Sequence, residues 1–235
     1  MKKDVLCIGV IVACLCMPGV IHAQKSIDAW KALNTDVKEL YRKGRYEDAL
    51  PVAREALAVA EKLFDADDVK ISSALNNIAV IHKALGNYDK AENLYQRVLD
   101  IREKELGKKS PHVATALNNL GSLYNDTGKL EQAQPLFERA LRIWEEDRED
   151  NKAKIAHVLN NLAVLHKNQG HLIKAENAYE QAIDLRKELL GEHHPNVATI
   201  MNNLASLYRE QGKLEAAETL CKKAHDIRTD SLRRR

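Results

Sequence analysis

The sequence predicts an all-α fold, one solenoid of about five helix-pair repeats. Three observations carry that expectation. Residues recur at a strict step of 42: Asn34, Asn76, Asn118, Asn160 and Asn202; Gly44, Gly86, Gly128, Gly170 and Gly212; Ala49, Ala91, Ala133, Ala175 and Ala217. A fixed period in this range marks a repeat architecture. Inside the repeats, apolar residues recur at three- and four-residue steps, the spacing of one buried helical face. Gly and Pro are scarce, and no Gly/Ser linker interrupts residues 27–230, so one continuous stack explains the chain better than two domains.

The first repeat, about 27–66, is the most diverged, yet it keeps Asn34, Gly44 and Ala49. The second, about 67–109, opens on Asp67-Asp68, which offers capping side chains. Its first helix carries Ile71, Leu75, Ile78, Ile81 and Leu85 on one stripe. Gly86 then ends that helix, because glycine turns the chain through a left-handed conformation without steric cost. A second stripe follows in Tyr88, Ala91, Leu94, Tyr95, Val98 and Ile101. The recurring alanine marks a place where two helices approach closely.

The third repeat, about 110–150, starts with Ser110-Pro111, an N-cap residue followed by proline at the first helical position. The fourth, about 151–193, starts beside Asp150-Asn151, which again offers capping groups. The fifth, about 194–232, starts with His194-Pro195. Its Cys221 falls 42 residues after Tyr179 and 84 after Phe137, and so is expected as a small core residue. A terminal repeat lacks a neighbour and should show a polar outer face, consistent with Lys222, Lys223, His225 and Asp226 and with the end Arg233-Arg234-Arg235.

Residues 1–23 are different in kind. Lys2 and Lys3 precede an uncharged apolar run, Val5 to Met17, then Pro18-Gly19 as a helix breaker, and Ala23 as a small residue. That is the layout of a secretory signal peptide, and the run is short for a membrane span. The mature chain, 24–235, is expected in the periplasm or secreted, with cleavage near Ala23. An alternative is a lipoprotein anchored through Cys14, since Ile11-Val12-Ala13-Cys14 resembles a lipobox. With Cys7, Cys14 and Cys16 removed, Cys221 alone remains, so no internal disulfide staples the fold. The net charge of +2 gives no basic field for nucleic acid.

Leu120-Gly121, Tyr124, Gly128, Ala133, Phe137 and Ala140 follow the order of the tetratricopeptide repeat pattern. The stretches at 110–146 and 194–224, with their 42-residue units, resemble the kinesin-light-chain type of that family, of an exported bacterial kind. The resemblance implies a right-handed superhelix whose concave groove binds peptides or partner proteins. Val69 and Ala153 stand where Pro111 and Pro195 stand in the other repeats.

In such folds the first helix of each repeat lines the concave side. Residues 3, 4 and 7 apart share a helical face. The candidate partner-binding stripe is therefore Asn34 and Lys38 with Lys31 and Tyr41; Ser73, Asn76 and Lys83 with Val80; Thr115, Asn118, Ser122 and Asn125; His157, Asn160 and Lys167 with Val164; and Thr199, Asn202 and Arg209 with Ser206. An amide there can donate to a peptide carbonyl and accept from its N–H. Lys38, Lys83, Lys167 and Arg209 add preference for acidic character. The competing reading is that the asparagines hold neighbouring helices together. Asn76 and Asn77 point about 100° apart, so binding is expected of Asn76 and its equivalents, and a structural tie of Asn77 and its equivalents.

No metal, cofactor or catalytic residue is expected. His82 and His166 take the place of Tyr124 and Tyr208 and read as packing residues, and no histidine pair has i,i+4 spacing. No phosphate loop or catalytic set stands out. The expected function is a non-enzymatic protein–protein scaffold or adaptor that takes a peptide segment or partner helix in its groove. The alternatives are a self-associating envelope protein and an accessory subunit of an enzyme or export complex.

Overall fold

The structure, a computed structural model, describes residues 18–233. These form ten α-helices and, among the described residues, no strand: α1 (Pro18–Arg42), α2 (Tyr46–Leu63), α3 (Val69–Ala84), α4 (Tyr88–Leu106), α5 (Pro111–Asp126), α6 (Leu130–Glu145), α7 (Arg148–Asn168), α8 (Leu172–Leu190), α9 (Pro195–Glu210) and α10 (Leu214–Arg233). The apolar run with Cys7, Cys14 and Cys16 lies outside the described residues, as do Arg234 and Arg235. Pro18 and Gly19, expected to break a helix, stand instead in the first turn of α1. Proline is tolerated there because its missing N–H is one the helix does not use.

Two compact units divide the chain, Met1–Ile101 and Arg102–Arg235, and the division falls within α4 rather than at a linker. In the first unit, α2 packs against both α1 and α3. Val37, Ala49, Ala53, Ile78 and Ile81 form the core, with Leu40, Leu57, Leu85 and Leu94 against it. Trp30 closes one side, its ring edge-on to Phe64 at 5.4 Å, while the Lys70 ammonium sits 4.3 Å from the Phe64 centroid. In the second unit each helix from α5 to α10 packs on the next. Leu117, Leu123, Phe137, Trp144, Ile155, Leu165 and Tyr179 are its large buried side chains.

The same turn closes the first helix of every repeat. Gly86 and Gly170 have φ of +74° and +77°, and the other three register glycines match them. The next N–H reaches back five residues, as from Asn87 to the His82 carbonyl at 2.9 Å and from His171 to the His166 carbonyl at 2.8 Å. Carbonyls left over at the helix end are thereby satisfied. Second helices then begin at Tyr46, Tyr88, Leu130, Leu172 and Leu214, each 42 residues after the last.

First helices start less uniformly. Asp68, Ser110 and His194 cap α3, α5 and α9, accepting from the N–H of Lys70, His112 and Asn196. The fourth repeat departs from expectation. Its helix begins at Arg148, so Asp150 and Asn151 lie inside α7 rather than capping it. Asn151 is buried and its Nδ2 donates to the Asp147 carbonyl at 2.9 Å. Two further expectations are corrected. Tyr88 is 42% exposed rather than part of the core. Cys221 is half-buried rather than core.

All five register alanines are buried: Ala49, Ala91, Ala133 and Ala175 at 0% exposure and Ala217 at 2%. They stand at positions closed to solvent, where a larger side chain has to displace its packed neighbours. Ala175→Leu is expected to lower stability by about 1–3 kcal/mol through overpacking. Urea unfolding followed by circular dichroism checks this, with an unchanged midpoint contradicting close contact.

Candidate functional site

Within each unit, asparagines of neighbouring first helices bond to one another. Asn77 Nδ2 donates to Asn34 Oδ1 at 3.1 Å in the first unit. In the second, Asn161 donates to Asn118 at 2.9 Å and Asn203 to Asn160 at 3.0 Å. Each bond spans 43 residues, one repeat plus one. The second asparagine of a helix thus donates backward and the first accepts from the helix that follows. α7 does both, through Asn161 and Asn160. Asn168 Nδ2 repeats the step at the helix end, donating to Asn125 Oδ1 at 3.1 Å.

A second tie joins the turns to the preceding second helix. Gln169 Nε2 donates to Gln134 Oε1 at 3.1 Å, and Gln211 Nε2 to Glu176 Oε2 at 3.3 Å. Lys213 adds an ion pair to Glu176 at 2.9 Å. Burial, helped by the Glu176 carboxylate, pushes the Tyr208 hydroxyl up to about 12. His166 Nδ1 lies 3.1 Å from Gln169 Oε1. Burial holds the imidazoles of both His82 and His166 below their ordinary pKa, as suits side chains that pack. Among the described residues no cluster of three or more His, Cys, Asp or Glu is arranged to hold a metal ion.

The stripe expected to bind a partner divides into committed and exposed groups. Asn118 is 3% exposed and its oxygen serves Asn161. Asn34 uses both ends of its amide, since Nδ2 also donates to the Trp30 carbonyl at 2.8 Å. Lys167 is answered by Glu210 at 2.7 Å, with Ser206 at 3.4 Å, so its charge is not turned to a ligand. Ser73, Thr115 and Thr199 return their hydroxyl protons to carbonyls of their own helices, leaving only lone pairs to present. Asn76, Lys83, Ser122 and Asn125 are half-buried. Lys38, His157, Thr199 and Arg209 are exposed.

Two small cavities collect stripe residues. In the first unit Lys38, Tyr41, Asn77 and Val80 line one of about 140 Å³. In the second unit, His157, Asn160 and Thr199 line one of about 280 Å³ together with Arg186 and Asn196. Arg186 lies on a second helix and so escapes a reading confined to first helices. Its recurrence with Arg102 and Arg228, at steps of 84 and 42, is the signal that points to it. Asn202 has no following repeat among the described residues. With its amide oxygen turned to α10, it accepts from Arg228 Nη1 and Nη2 at 3.2 and 3.1 Å; the opposite orientation sets donor against donor.

The tetratricopeptide repeat profile matches residues 40–104, 70–146, 112–188 and 154–230. Among solved structures, BtubC (BKLC) from P. vanneervenii is 24% identical, with a TM-score of 0.72 over 90% of each chain. A Podosopora anserina putative kinesin light chain with nearly identical TPR-like repeats is 18% identical, with a TM-score of 0.67 over 86% of this chain and 95% of that one. MamA from Desulfovibrio magneticus RS-1, residue 41 to its end, is 17% identical, with a TM-score of 0.56 over 86% and 97%. These likenesses concern the fold: all-α and built of tetratricopeptide repeats. No curated protein matches the chain.

Removing one side of a rung strands a buried acceptor. Asn161→Ala leaves Asn118 Oδ1 without its donor and is expected to cost about 1–3 kcal/mol. A double-mutant cycle with Asn118→Ala should show clear coupling between the two positions. Strictly additive urea midpoints would show that the rung contributes nothing.

Proposed function

Since the chain belongs to the tetratricopeptide repeat family, we propose that it is a non-enzymatic adaptor that captures a peptide segment of another protein on the face formed by its first helices. Proteins of this fold typically serve as scaffolds for protein–protein interaction. The observation that carries the finer reading is the division of labour on that face in the second unit. The Asn118–Asn161 and Asn160–Asn203 rungs hold α5, α7 and α9 side by side. His157, Thr199 and Arg209 remain exposed on it, and the cavity there has no acidic side chain in its wall. A cationic and neutral polar face favours a partner of acidic character.

The same proposal places the protein outside the cytoplasm. Lys2, Lys3 and the uncharged run Val5 to Met17 support export. Among the described residues no helix is long and apolar enough to cross a membrane.

Quantitative affinity purification from a periplasmic extract tests the capture reading. A face variant, Ser206→Trp with Arg209→Glu, is expected to lose a partner that the wild type retains. A control at the end of the last repeat, Lys222→Glu with Lys223→Glu, should retain it. Equal recovery with all three proteins would contradict capture on this face. Light scattering at rising concentration separates capture from self-association, which would raise the mass.

A further inference from the structure

The turn from first to second helix uses the same positions in the last two repeats, with different chemistry. In the fifth repeat three groups meet the Glu176 carboxylate of α8. The Tyr208 hydroxyl donates to it, Gln211 Nε2 donates at 3.3 Å, and Lys213 pairs with it at 2.9 Å. Lys213 also lies 4.9 Å from the Tyr208 ring centroid. One repeat earlier the same positions hold Gln134, His166, Gln169 and His171. An amide stands in place of the carboxylate, and imidazoles in place of the tyrosine and the lysine.

These groups form a chain of hydrogen bonds with a fixed direction. A carboxylate only accepts, so Glu138 Oε1 takes its bond from Gln134 Nε2, at 2.8 Å. Gln134 Oε1 then accepts from Gln169 Nε2 at 3.1 Å, which leaves Gln169 Oε1 to accept in turn. His166 Nδ1, 3.1 Å away, therefore carries the proton, and in the neutral ring Nε2 carries none. The chain fastens the turn between α7 and α8 to α6, and it is complete with His166 neutral.

A second proton, on Nε2, puts a cation in a half-buried place. Burial is the largest cost and holds the His166 pKa down, while its bond to Gln169 works the other way. From α8, Lys174 and His171 oppose the charge; from α6, Glu138 favours it. Among the described residues, α5 and α9, which also touch α7, add no charged group to these. The His171 ring centroid is 6.1 Å from that of His166, and a histidine ring can itself gain charge in acid. Gln134, where Glu176 answers Lys213 in the next repeat, has no charge to answer either ring. We propose that the turn between α7 and α8 is a proton-operated joint, fastened to α6 while His166 is neutral and loosened when His166 takes up a proton beside His171 and Lys174.

The unfolded chain takes up this proton at the ordinary value of 6.5, and the folded turn only at lower pH. The stability of the joint is therefore whole above about pH 6.5 and falls as the pH drops below it. Native-state hydrogen exchange of two equivalent amides in the full chain tests this. The His171 N–H donates to the His166 carbonyl at 2.8 Å, and the Lys213 N–H to the Tyr208 carbonyl at 2.8 Å, so Lys213 is the internal control. Between about pH 7.5 and about pH 5.5, protection of the His171 amide is expected to fall about fivefold relative to that of Lys213. H166Q, which can still donate to Gln169 but takes up no proton, should hold the ratio constant. So should the triple variant Q134E, H166Y and H171K, which gives the fourth turn the groups of the fifth. The readout is local, so His82 and His112, also held low by burial, do not enter it. A ratio that stays constant in the wild type, or that falls as far in either variant as in the wild type, overturns the joint.

Discussion

The structure depends on an amide–amide bond that reaches from one first helix to the next. Asparagine is a mediocre helix former, because its short side chain competes for backbone hydrogen bonds. Two in succession within a packed helix therefore need compensation. They find it in each other across repeats: Asn77 to Asn34, Asn161 to Asn118, Asn203 to Asn160. Neighbouring positions on a helix point about 100° apart, which lets one helix bond on two sides. The adjacency of the pair is what lets α7 join α5 and α9 at once. Because each bond spans one repeat plus one residue, it holds only while the 42-residue step is kept. That ties the period of the sequence to the satisfaction of half-buried and buried amides.

Other features keep the helices where the rungs need them. The left-handed glycine and its five-residue back bond set the exit of each first helix. The register alanine sets how closely helices approach. Gln169 to Gln134 and Gln211 to Glu176 fix turns onto the preceding second helix. The last first helix has no successor among the described residues, and Arg228 supplies the donor that Asn202 would otherwise lack. At this register, then, arginine ends one rung in α10 and faces a cavity in α8.

Helix number, the glycine turns, the alanine contacts and the tie made by the second asparagine were legible because each repeats at a fixed step. What was not legible involves partners far apart in sequence or local exceptions to the period. Lys167 read as a cation for a ligand because Glu210, 43 residues on, could not be placed against it without the packing of α7 on α9. Asn118 read as a binding amide because one helix alone does not show that its neighbour buries it. The early start of α7 at Arg148 lacks a proline signal, and the Asn151 to Asp147 bond that supports it forms only once the helix exists. Arg186 lies on a second helix, outside any face drawn from first helices alone.

The most direct measurement of the central claim is side-chain amide hydrogen exchange by NMR for every asparagine in the intact chain. Protons of the Nδ2 groups of Asn77, Asn161 and Asn203 should exchange slowly, as donors in lasting bonds do, while those of the exposed Asn196 exchange at the rate of a solvated amide. Equal rates for the rung asparagines and Asn196 would mean that the amide bonds do not persist and that apolar packing alone holds the repeats in register.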